Sequence, residues 1–172
     1  MTITRKKTVR QERRVAAELG GHRVPLSGAG AEKGDGRVAQ RYTKTATGVQ
    51  EQVLLPLRIE NKLTSKSSYT FSADDWDKLD RSARACGEHP LFHIELSVEG
   101  VGSVQVAIIR EKFAEHLWLP TPRLWSRDRE AKSFNISWAR FHEVPYCLHM
   151  HGGHRLVVAD YLMVRNRLQE LQ

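Results

Sequence analysis

The chain has 172 residues, a formal net charge of +7 and a sequence pI near 9.7, which is the size of one ordinary domain. This basic balance favours a polyanionic partner, because lysines and arginines release condensed counterions when they neutralise phosphates. No apolar run approaches the roughly 20 residues that a membrane-spanning helix needs. Because the charged N-terminus is followed by no apolar signal segment, we expect a cytoplasmic protein with no membrane partner and two reduced cysteines, Cys86 and Cys147.

The N-terminal segment combines a basic run with a predicted helix. Six lysines and arginines fall within the first fourteen residues, and they either bind phosphate or form a solvated helix start. A stripe with i, i+3, i+4 and i+7 spacing predicts a helix over residues 8–19; its members are Glu12, Val15, Ala16 and Leu19. A glutamate near a helix start can simply favour the helix dipole. Its place on an apolar stripe favours a functional role for Glu12.

Residues 36–63 predict a long β-hairpin with its tip at Thr47-Gly48. A two-residue turn there pairs residues whose numbers sum to 95, which places Asp35 directly opposite Glu60. The same register pairs Val38 with Leu57, Tyr42 with Val53, and Lys44 with Glu51. Because side chains alternate along a strand, the face that carries the two carboxylates also carries Arg37, Arg41, Arg58 and Lys62.

The rest of the chain alternates helices and strands. Ser72 and Asp75 form a capping signature, with Phe71 able to pack on Trp76. Buried strands are predicted at residues 90–96 and 104–109, a helix at 112–118, and further strands at 134–138 and 144–150. A helical packing face is predicted from the spacing of Val157, Tyr161, Val164, Leu168 and Leu171. We divide this single-domain chain into a core, residues 1–120, and a C-terminal extension, 121–172, that packs on the core or on a partner subunit.

Asp35 and Glu60 are suited to binding Mg²⁺, which takes oxygen ligands and commonly uses one or two carboxylates with waters and substrate phosphate oxygens. Two like charges opposite each other in a sheet require a compensating cation. Lys62 follows Glu60 on the same face, where it can polarise water or neutralise charge on a phosphate. The alternative for the Glu-x-Lys tripeptide is a cross-strand ion set on the surface.

Several short motifs occur in a fixed order: Glu12, Ser27-Gly28-Ala29-Gly30, Lys33-Gly34-Asp35, Ile59-Glu60-Asn61-Lys62 and Tyr69-Thr70-Phe71-Ser72. In this order they resemble the PD-(D/E)XK nuclease superfamily, and within it the archaeal-type Holliday junction resolvases, over roughly residues 8 to 110. Two features depart from the family pattern. Gly34 replaces the proline of the family name, and the hairpin that joins Asp35 to Glu60 is long.

The resemblance implies an α/β fold with a restriction-endonuclease-like mixed β-sheet flanked by α-helices, to which this sequence adds the long hairpin and the C-terminal extension. It also implies a homodimer and Mg²⁺-dependent cleavage of branched DNA, with Mn²⁺ able to substitute and no small-molecule cofactor. Asp35, Glu60 and the carbonyl group of Asn61 would bind the metal, Lys62 would be catalytic, and Glu12 would support the site. For the dimer contact we consider residues 104–109 and the stripe that spans residues 157–171.

DNA binding is assigned to basic and polar residues near this site: Arg10, Arg13, Arg14, Ser27, Lys33, Arg37, Arg41, Arg58 and Lys66. Two other functions stay open from the sequence: a nuclease of linear duplex DNA of restriction or repair type, and a noncatalytic DNA-binding protein of the same fold. Metal-ligand residue types also occur close together near the C-terminus, at Cys147, His149, His151 and His154. They form either a zinc site or an ordinary strand and turn. The absence of a second ligand pair favours the strand and turn.

Overall fold

A computed structural model describes residues 5–24, 34–38, 41–45, 48–52, 55–120, 123–124 and 130–171. The helices are α1 (Arg5–Glu18), α2 (Ala73–Ala85), α3 (Glu111–His116) and α4 (Tyr161–Glu170), with a 3-10 helix over Trp138–Glu143. The strands are β1 (His22–Arg23), β2 (Gly36–Val38), β3 (Arg41–Thr45), β4 (Gly48–Gln52), β5 (Leu57–Thr64), β6 (Ser68–Ser72), β7 (His89–Val98), β8 (Gly102–Arg110), β9 (Arg123–Leu124), β10 (Ser133–Ser137), β11 (Tyr146–Met150) and β12 (His154–Asp160).

An eight-stranded mixed sheet forms the centre of the fold, in the order β1-β2-β5-β7-β8-β12-β11-β9. β5 and β7 pair in parallel, which requires a crossover connection between them, and α2 provides it. On one face, Val15 of α1 and Val164 of α4 pack with Ile59. On the other face, Trp76 of α2 packs with Phe92. The predicted α/β class, a mixed sheet flanked by helices, is confirmed.

The start of α2 follows from local sequence. The Ser72 hydroxyl accepts a hydrogen bond from the Asp75 backbone N–H at 3.2 Å and donates one to the Asp75 carboxylate at 2.8 Å. Phe71 and Trp76 make an edge-on ring contact, with centroids 6.3 Å apart. The predicted capping signature and hydrophobic staple are both confirmed, and they fix the direction in which α2 leaves β6.

The predicted hairpin register is correct at the base and wrong at the tip. β2 pairs with β5 so that Val38 lies opposite Leu57, as predicted. β3 and β4 form a separate two-stranded sheet in which Tyr42 lies opposite Glu51, and Lys44 opposite Val49. The returning chain has four residues between β4 and β5, whereas the outgoing chain has two between β2 and β3. One of the four is Pro56, which cannot donate a ladder hydrogen bond, and the register changes across this segment.

The C-terminal third adds strands to the main sheet. β12 pairs with β8, so that Val157 lies opposite Ile109, and the expected boundary at residue 120 therefore falls between strands of one sheet. The predicted helical face over residues 157–171 is correct only in its middle, because α4 begins at Tyr161 and Leu171 is 43% exposed. The strand contains Val157 because the edge of β8 offers it backbone hydrogen bonds.

Neither surface considered for a dimer contact is free along its length. β8 lies between β7 and β12 and its residues 104 and 106–109 are buried. In α4, the apolar residues Val164 and Leu168 pack into the chain's own core. Most apolar residues of both surfaces pack within one chain, so for these residues the structure favours core packing, the alternative that the sequence left open, over a dimer contact.

The predicted helix 112–118 ends at His116, and Trp118 adopts a left-handed φ of 53° with 79% of its surface exposed. Trp118 therefore does not lie on a helix face. Among the described residues, no helix has the length and apolarity required to cross a membrane.

Candidate active site

Asp35, Glu60 and Lys62 come together where β2 meets β5. The Lys62 ammonium donates to the Glu60 carboxylate, with 2.6 Å between Nζ and Oε1. The Asp35 carboxylate accepts a hydrogen bond from the backbone N–H of Asn61 at 2.9 Å. Since Gly36 lies opposite Ile59, continuing the register by one residue brings Asp35 level with Glu60. The two carboxylates and the lysine therefore form one cluster.

The environment of Glu60 disfavours its charged form. Burial is the largest cause that raises its pKa above 4.5, the charge of Asp35 raises it further, and the charge and hydrogen bond of Lys62 oppose both. A carboxylate in this setting gains more from a nearby cation than one in water does. A further cation beside Glu60 would therefore lower this pKa, as Lys62 already does in part.

Lys62 stays protonated at neutral pH. Burial acts to lower its pKa, but the charge and hydrogen bond of Glu60, with smaller contributions from Tyr69 and Asp35, outweigh burial and raise the pKa above 10.5. The ammonium also lies 6.0 Å from the centroid of the Phe92 ring. Lys62 can therefore donate hydrogen bonds and stabilise negative charge, and it does not act as a base.

The donor set fits Mg²⁺ better than a transition metal. In the part of the chain that the structure describes, no group of three or more His, Cys, Asp and Glu side chains lies close enough to hold a metal. The candidate site has two carboxylates, which is the usual protein contribution to a Mg²⁺ site completed by water and phosphate oxygens. The carbonyl group of Asn61 belongs to the same strand segment.

The C-terminal group of Cys147, His149, His151 and His154 lies entirely within the described part of the chain. Their side chains are not gathered closely enough to hold a metal ion, so the structure gives the zinc alternative no support. The Cys147 thiol donates to Glu111 at 3.6 Å, whereas His154 contacts Asp77 at 2.6 Å. The first and last residues of the group therefore contact different helices, α3 and α2.

Glu12 is placed differently from the other predicted site residues. It is buried on α1, and its carboxylate forms an ion pair with Arg23 of β1. The helix stripe is thus confirmed, and the contact that the structure gives Glu12 is this ion pair. Sequence reasoning did not identify Arg23, whose position on a two-residue strand carries no periodic signal.

The predicted DNA-binding residues divide by exposure. Arg10 and Arg13 are exposed on α1, and Lys66 is exposed in the turn between β5 and β6. Arg14 pairs with Glu95 at 2.6 Å. Ser27, Lys33 and the side chain of Arg41 lie outside the described residues.

Two arginines of this predicted set are bound within the protein. Arg58 is fully buried, its Nε donates to Glu88 at 2.7 Å, and its Nη2 donates to Cys86 at 3.2 Å. Arg37 is directly opposite Arg58 in the sheet and pairs with the same Glu88. Our assignment of Arg58 to DNA binding is wrong, because a buried side chain cannot reach a nucleic acid.

Two further groups border the site, although the sequence did not single them out. Burial raises the pKa of Tyr69 on β6, and Lys62, Asp75 and Glu60 also act on it electrostatically. Asp75 is recognisable from sequence only as a helix-capping residue. The pairing of β6 with β10 and the direction of α2 bring Tyr69 and Asp75 to the site.

A buried polar network lies behind the strand that carries the site. Gln11 of α1 donates to the backbone carbonyl of Lys62 at 3.4 Å and contacts the His93 ring at 3.3 Å. Burial lowers the pKa of His93 to about 3, so the ring is neutral. The side-chain amide of Asn61 is buried without a hydrogen-bond partner among the described residues. This network ties α1 to the backbone on which Lys62 sits.

No protein-family model and no curated protein matches the sequence. Among solved structures, the chain is similar to Hjc, a Holliday junction resolvase from the archaeal hyperthermophile Archaeoglobus fulgidus, with 19% sequence identity and a TM-score of 0.43. The match covers 76% of this chain and 86% of that chain. Holliday junction resolution is the activity of Hjc, as its name states.

Proposed function

We propose that the chain is a Mg²⁺-dependent DNA endonuclease whose preferred substrate is branched DNA, in particular the four-way junction. The observation that carries the proposal is the cluster of Asp35, Glu60 and Lys62, in which the lysine ammonium is 2.6 Å from the Glu60 carboxylate. Two adjacent carboxylates supply metal ligands, and a permanently charged lysine supplies a phosphate contact. The basic net charge of +7 supports a polyanionic substrate.

In this proposal Asp35 and Glu60 hold the ion and Lys62 faces the scissile phosphate. When bound, the ion would act as a Lewis acid and lower the pKa of a coordinated water. In hydrolysis the oxygen of water forms a new bond to phosphorus, the ester P–O bond breaks, and the leaving oxygen gains a proton. Lys62 offsets the negative charge that develops on the phosphate, while Glu60 holds its ammonium in position.

Cutting a four-way junction requires two incisions, and one chain carries a single set of Asp35, Glu60 and Lys62. A two-fold symmetric dimer would present two equivalent sites to a pseudo-symmetric substrate. We therefore expect light scattering to report a mass close to twice 19.7 kDa. A monomeric mass both free and on DNA would contradict junction resolution.

The test is incubation of the full chain with a fixed four-way junction and a matched linear duplex, with Mg²⁺, with Mn²⁺ and without either. We expect metal-dependent cleavage that is faster on the junction. Lys62→Ala should reduce turnover by about 10²- to 10³-fold and leave metal affinity intact. Lys132→Ala, which removes an exposed lysine just before β10, is the matched control.

The same experiment separates the two other functions. Preferential cleavage of the duplex at a palindromic sequence would identify a linear-duplex nuclease. Tight junction binding without cleavage in either metal would identify a noncatalytic DNA-binding protein.

A further inference from the structure

A basic cavity of about 560 Å³ opens at the end of the sheet where the C-terminus of β8 lies beside the N-terminus of β12. Four elements line it: α2, β8, α3 and β12. Its charged and titratable lining residues are Arg84, Arg110, Glu111, Lys112, His154 and Arg155. The proposed active site uses none of them.

Two carboxylates hold the three arginines in place. Asp80, which is only 4% exposed, accepts a hydrogen bond from Arg110 Nε at 2.8 Å and forms an ion pair with Arg84 Nε at 2.8 Å. Glu111 accepts a hydrogen bond from Arg155 Nη2 at 2.9 Å, and its other oxygen lies 2.8 Å from Arg155 Nε in an ion pair. Each of these arginines thus has a carboxylate partner, and the side chains of Arg84 and Arg155 are 63% and 61% exposed, so their guanidinium groups can reach a ligand.

The cavity carries an excess of positive charge. Arg84, Arg110, Arg155 and Lys112 provide four cations, and Lys112 has no carboxylate partner among the described residues. Asp80, Glu111 and Asp77, which contacts the lining His154 at 2.6 Å, provide three negative charges, which leaves one positive charge uncompensated within this group. Nearby, burial lowers the pKa of His89, and the charges of Arg110 and His116 lower it further. The electrostatic potential around the cavity is therefore positive.

Phosphate is the ligand that suits these groups. A guanidinium has five N–H donors in a planar fork, and Asp80 or Glu111 engages at most two donors of each arginine. The remaining donors match phosphate oxygens in geometry and charge. A carboxylate-anchored arginine set with an adjacent lysine is a site for a phosphate group.

The cavity and the candidate active site lie towards opposite ends of α2. Asp75 in its first turn acts electrostatically on Glu60, whereas Arg84 belongs to its last turn. The nine residue steps from Asp75 to Arg84 span about 14 Å at about 1.5 Å per step, which is about four phosphates of one strand at about 3.4 Å each. One nucleic acid segment is long enough to reach both places.

We propose that this cavity binds backbone phosphates of the same DNA that is cut at Asp35, Glu60 and Lys62. This inference rests on the proposed nuclease function. It assigns to Arg84, Arg110, Lys112 and Arg155 the role of a second anchor point, which holds the substrate arm that leaves the active site along α2.

The test measures the affinity of the full chain for a labelled four-way junction and a linear duplex by fluorescence anisotropy, with EDTA present to prevent cleavage. The variants are Lys112→Ala, Arg84→Ala and the double variant. Arg167→Ala is the matched control, because Arg167, like Arg84, is an arginine in the last turn of a helix with an ion pair inside that helix. Thermal melting of each variant verifies that it is folded.

The double variant should bind with a Kd raised about tenfold at about 0.1 M salt, and the slope of log K against log salt should fall by about 0.9 for each phosphate that the variant no longer neutralises. Arg167→Ala should change neither quantity. An unchanged Kd and slope in the folded double variant would overturn the proposal. A calorimetric titration with pyrophosphate covers the other source of phosphate: loss of pyrophosphate binding with unchanged DNA affinity would also overturn it.

The outcomes for the two proposals are separable. If the wild-type chain cleaves DNA in Mg²⁺ and the double variant binds as wild type does, only the cavity assignment fails. If the wild-type chain binds DNA and the double variant loses affinity, but no metal supports cleavage, the cavity assignment stands and the nuclease function fails. Absence of any DNA binding by the wild-type chain would overturn both.

Discussion

Two ionic clusters, one around Arg58 and one around Glu60, lie on the same face of β5, and they differ in burial. Arg58 is 0% exposed and donates to Glu88 at 2.7 Å. The Glu60 side chain is 22% exposed and accepts from Lys62 at 2.6 Å. Both clusters pair a carboxylate with a long basic side chain. They differ in their access to solvent.

That access decides what each cluster can do. A buried charge has no water to replace its partner, so the pair around Arg58 stays together or the fold is lost. The pair around Glu60 meets solvent and can exchange partners with a metal ion or a phosphate. Proximity of opposite charges in a sheet therefore does not distinguish a structural cluster from a functional one, and burial does.

The largest expected effect concerns the exposed cluster. Asp35→Asn and Glu60→Gln should each reduce cleavage by more than about a thousandfold, because each removes one of two metal ligands and with it several kcal/mol of transition-state stabilisation. Junction binding should remain or become tighter, since a negative charge near phosphate is removed. Quantitative gel assays of cleavage and binding measure both. Full activity in either variant would place the metal elsewhere.

The buried cluster should respond in stability. Glu88→Gln leaves Arg58 buried without its carboxylate and should lower the free energy of unfolding by about 3–5 kcal/mol. Glu60→Gln is the matched control, and we expect it to stay within about 1 kcal/mol of wild type, because Glu60 meets solvent and carries a like-charged neighbour. Urea denaturation of both variants checks the contrast. Equal losses would show that exposure is not the deciding variable.

The third expected effect is on pH dependence. Burial and Asp35 raise the pKa of Glu60 above 4.5 against the opposing effect of Lys62, and metal binding requires the ionised form. Cleavage should therefore be lost as pH falls through this raised pKa, with an acid limb above pH 4.5. The limb should move to lower pH as Mg²⁺ increases, because metal and proton compete. A limb that does not respond to Mg²⁺ would contradict the role of Glu60.

The same shift has a defined sign for stability. A carboxyl group with a raised pKa in the folded state binds protons more tightly when folded, so its contribution is most favourable below pH 4.5 and is lost as pH rises through the raised pKa. Relative to Glu60→Gln, the wild-type chain should thus lose unfolding free energy over that range. Chemical denaturation at a series of pH values measures the difference.

The smallest expected effect separates exposed arginines from buried ones. Arg10 and Arg13 are exposed on α1, and neutralising either should flatten the salt dependence of DNA binding by about 0.9 in log–log slope, evenly across sequences. Arg167→Ala, on α4, serves as the control. An unchanged slope for both α1 variants would show that the DNA does not contact this helix.

Features that depend on neighbours in the chain were predictable. The Ser72–Asp75 cap and the Phe71–Trp76 contact lie within six residues, and both follow from short-range hydrogen bonding and packing. The base of the hairpin could also be predicted from the sequence, since side-chain alternation and the pairing of Val38 with Leu57 bring Asp35 level with Glu60. The candidate site is built on this local order.

The role of each arginine was not predictable. Arg58 and Lys62 occupy equivalent positions of the same alternating pattern, and nothing near Arg58 in sequence indicates that it is buried. Glu88, which is 30 residues away, decides this by reaching Arg58 from the segment after α2. The position of Tyr69 beside Lys62 likewise depends on β10, which pairs with β6 from more than 60 residues further along the chain.

The end of the chain shows the same limit. Apolar residues that alternate four and three apart from Val157 onwards satisfy a helix, and the residues from Tyr161 onwards do form one. Val157 itself belongs to β12 because the edge of β8, nearly 50 residues earlier, offers backbone hydrogen bonds that it satisfies. Apolar periodicity records which residues seek burial. The backbone partner that is within reach once the sheet has assembled determines whether they are buried in a helix or in a strand.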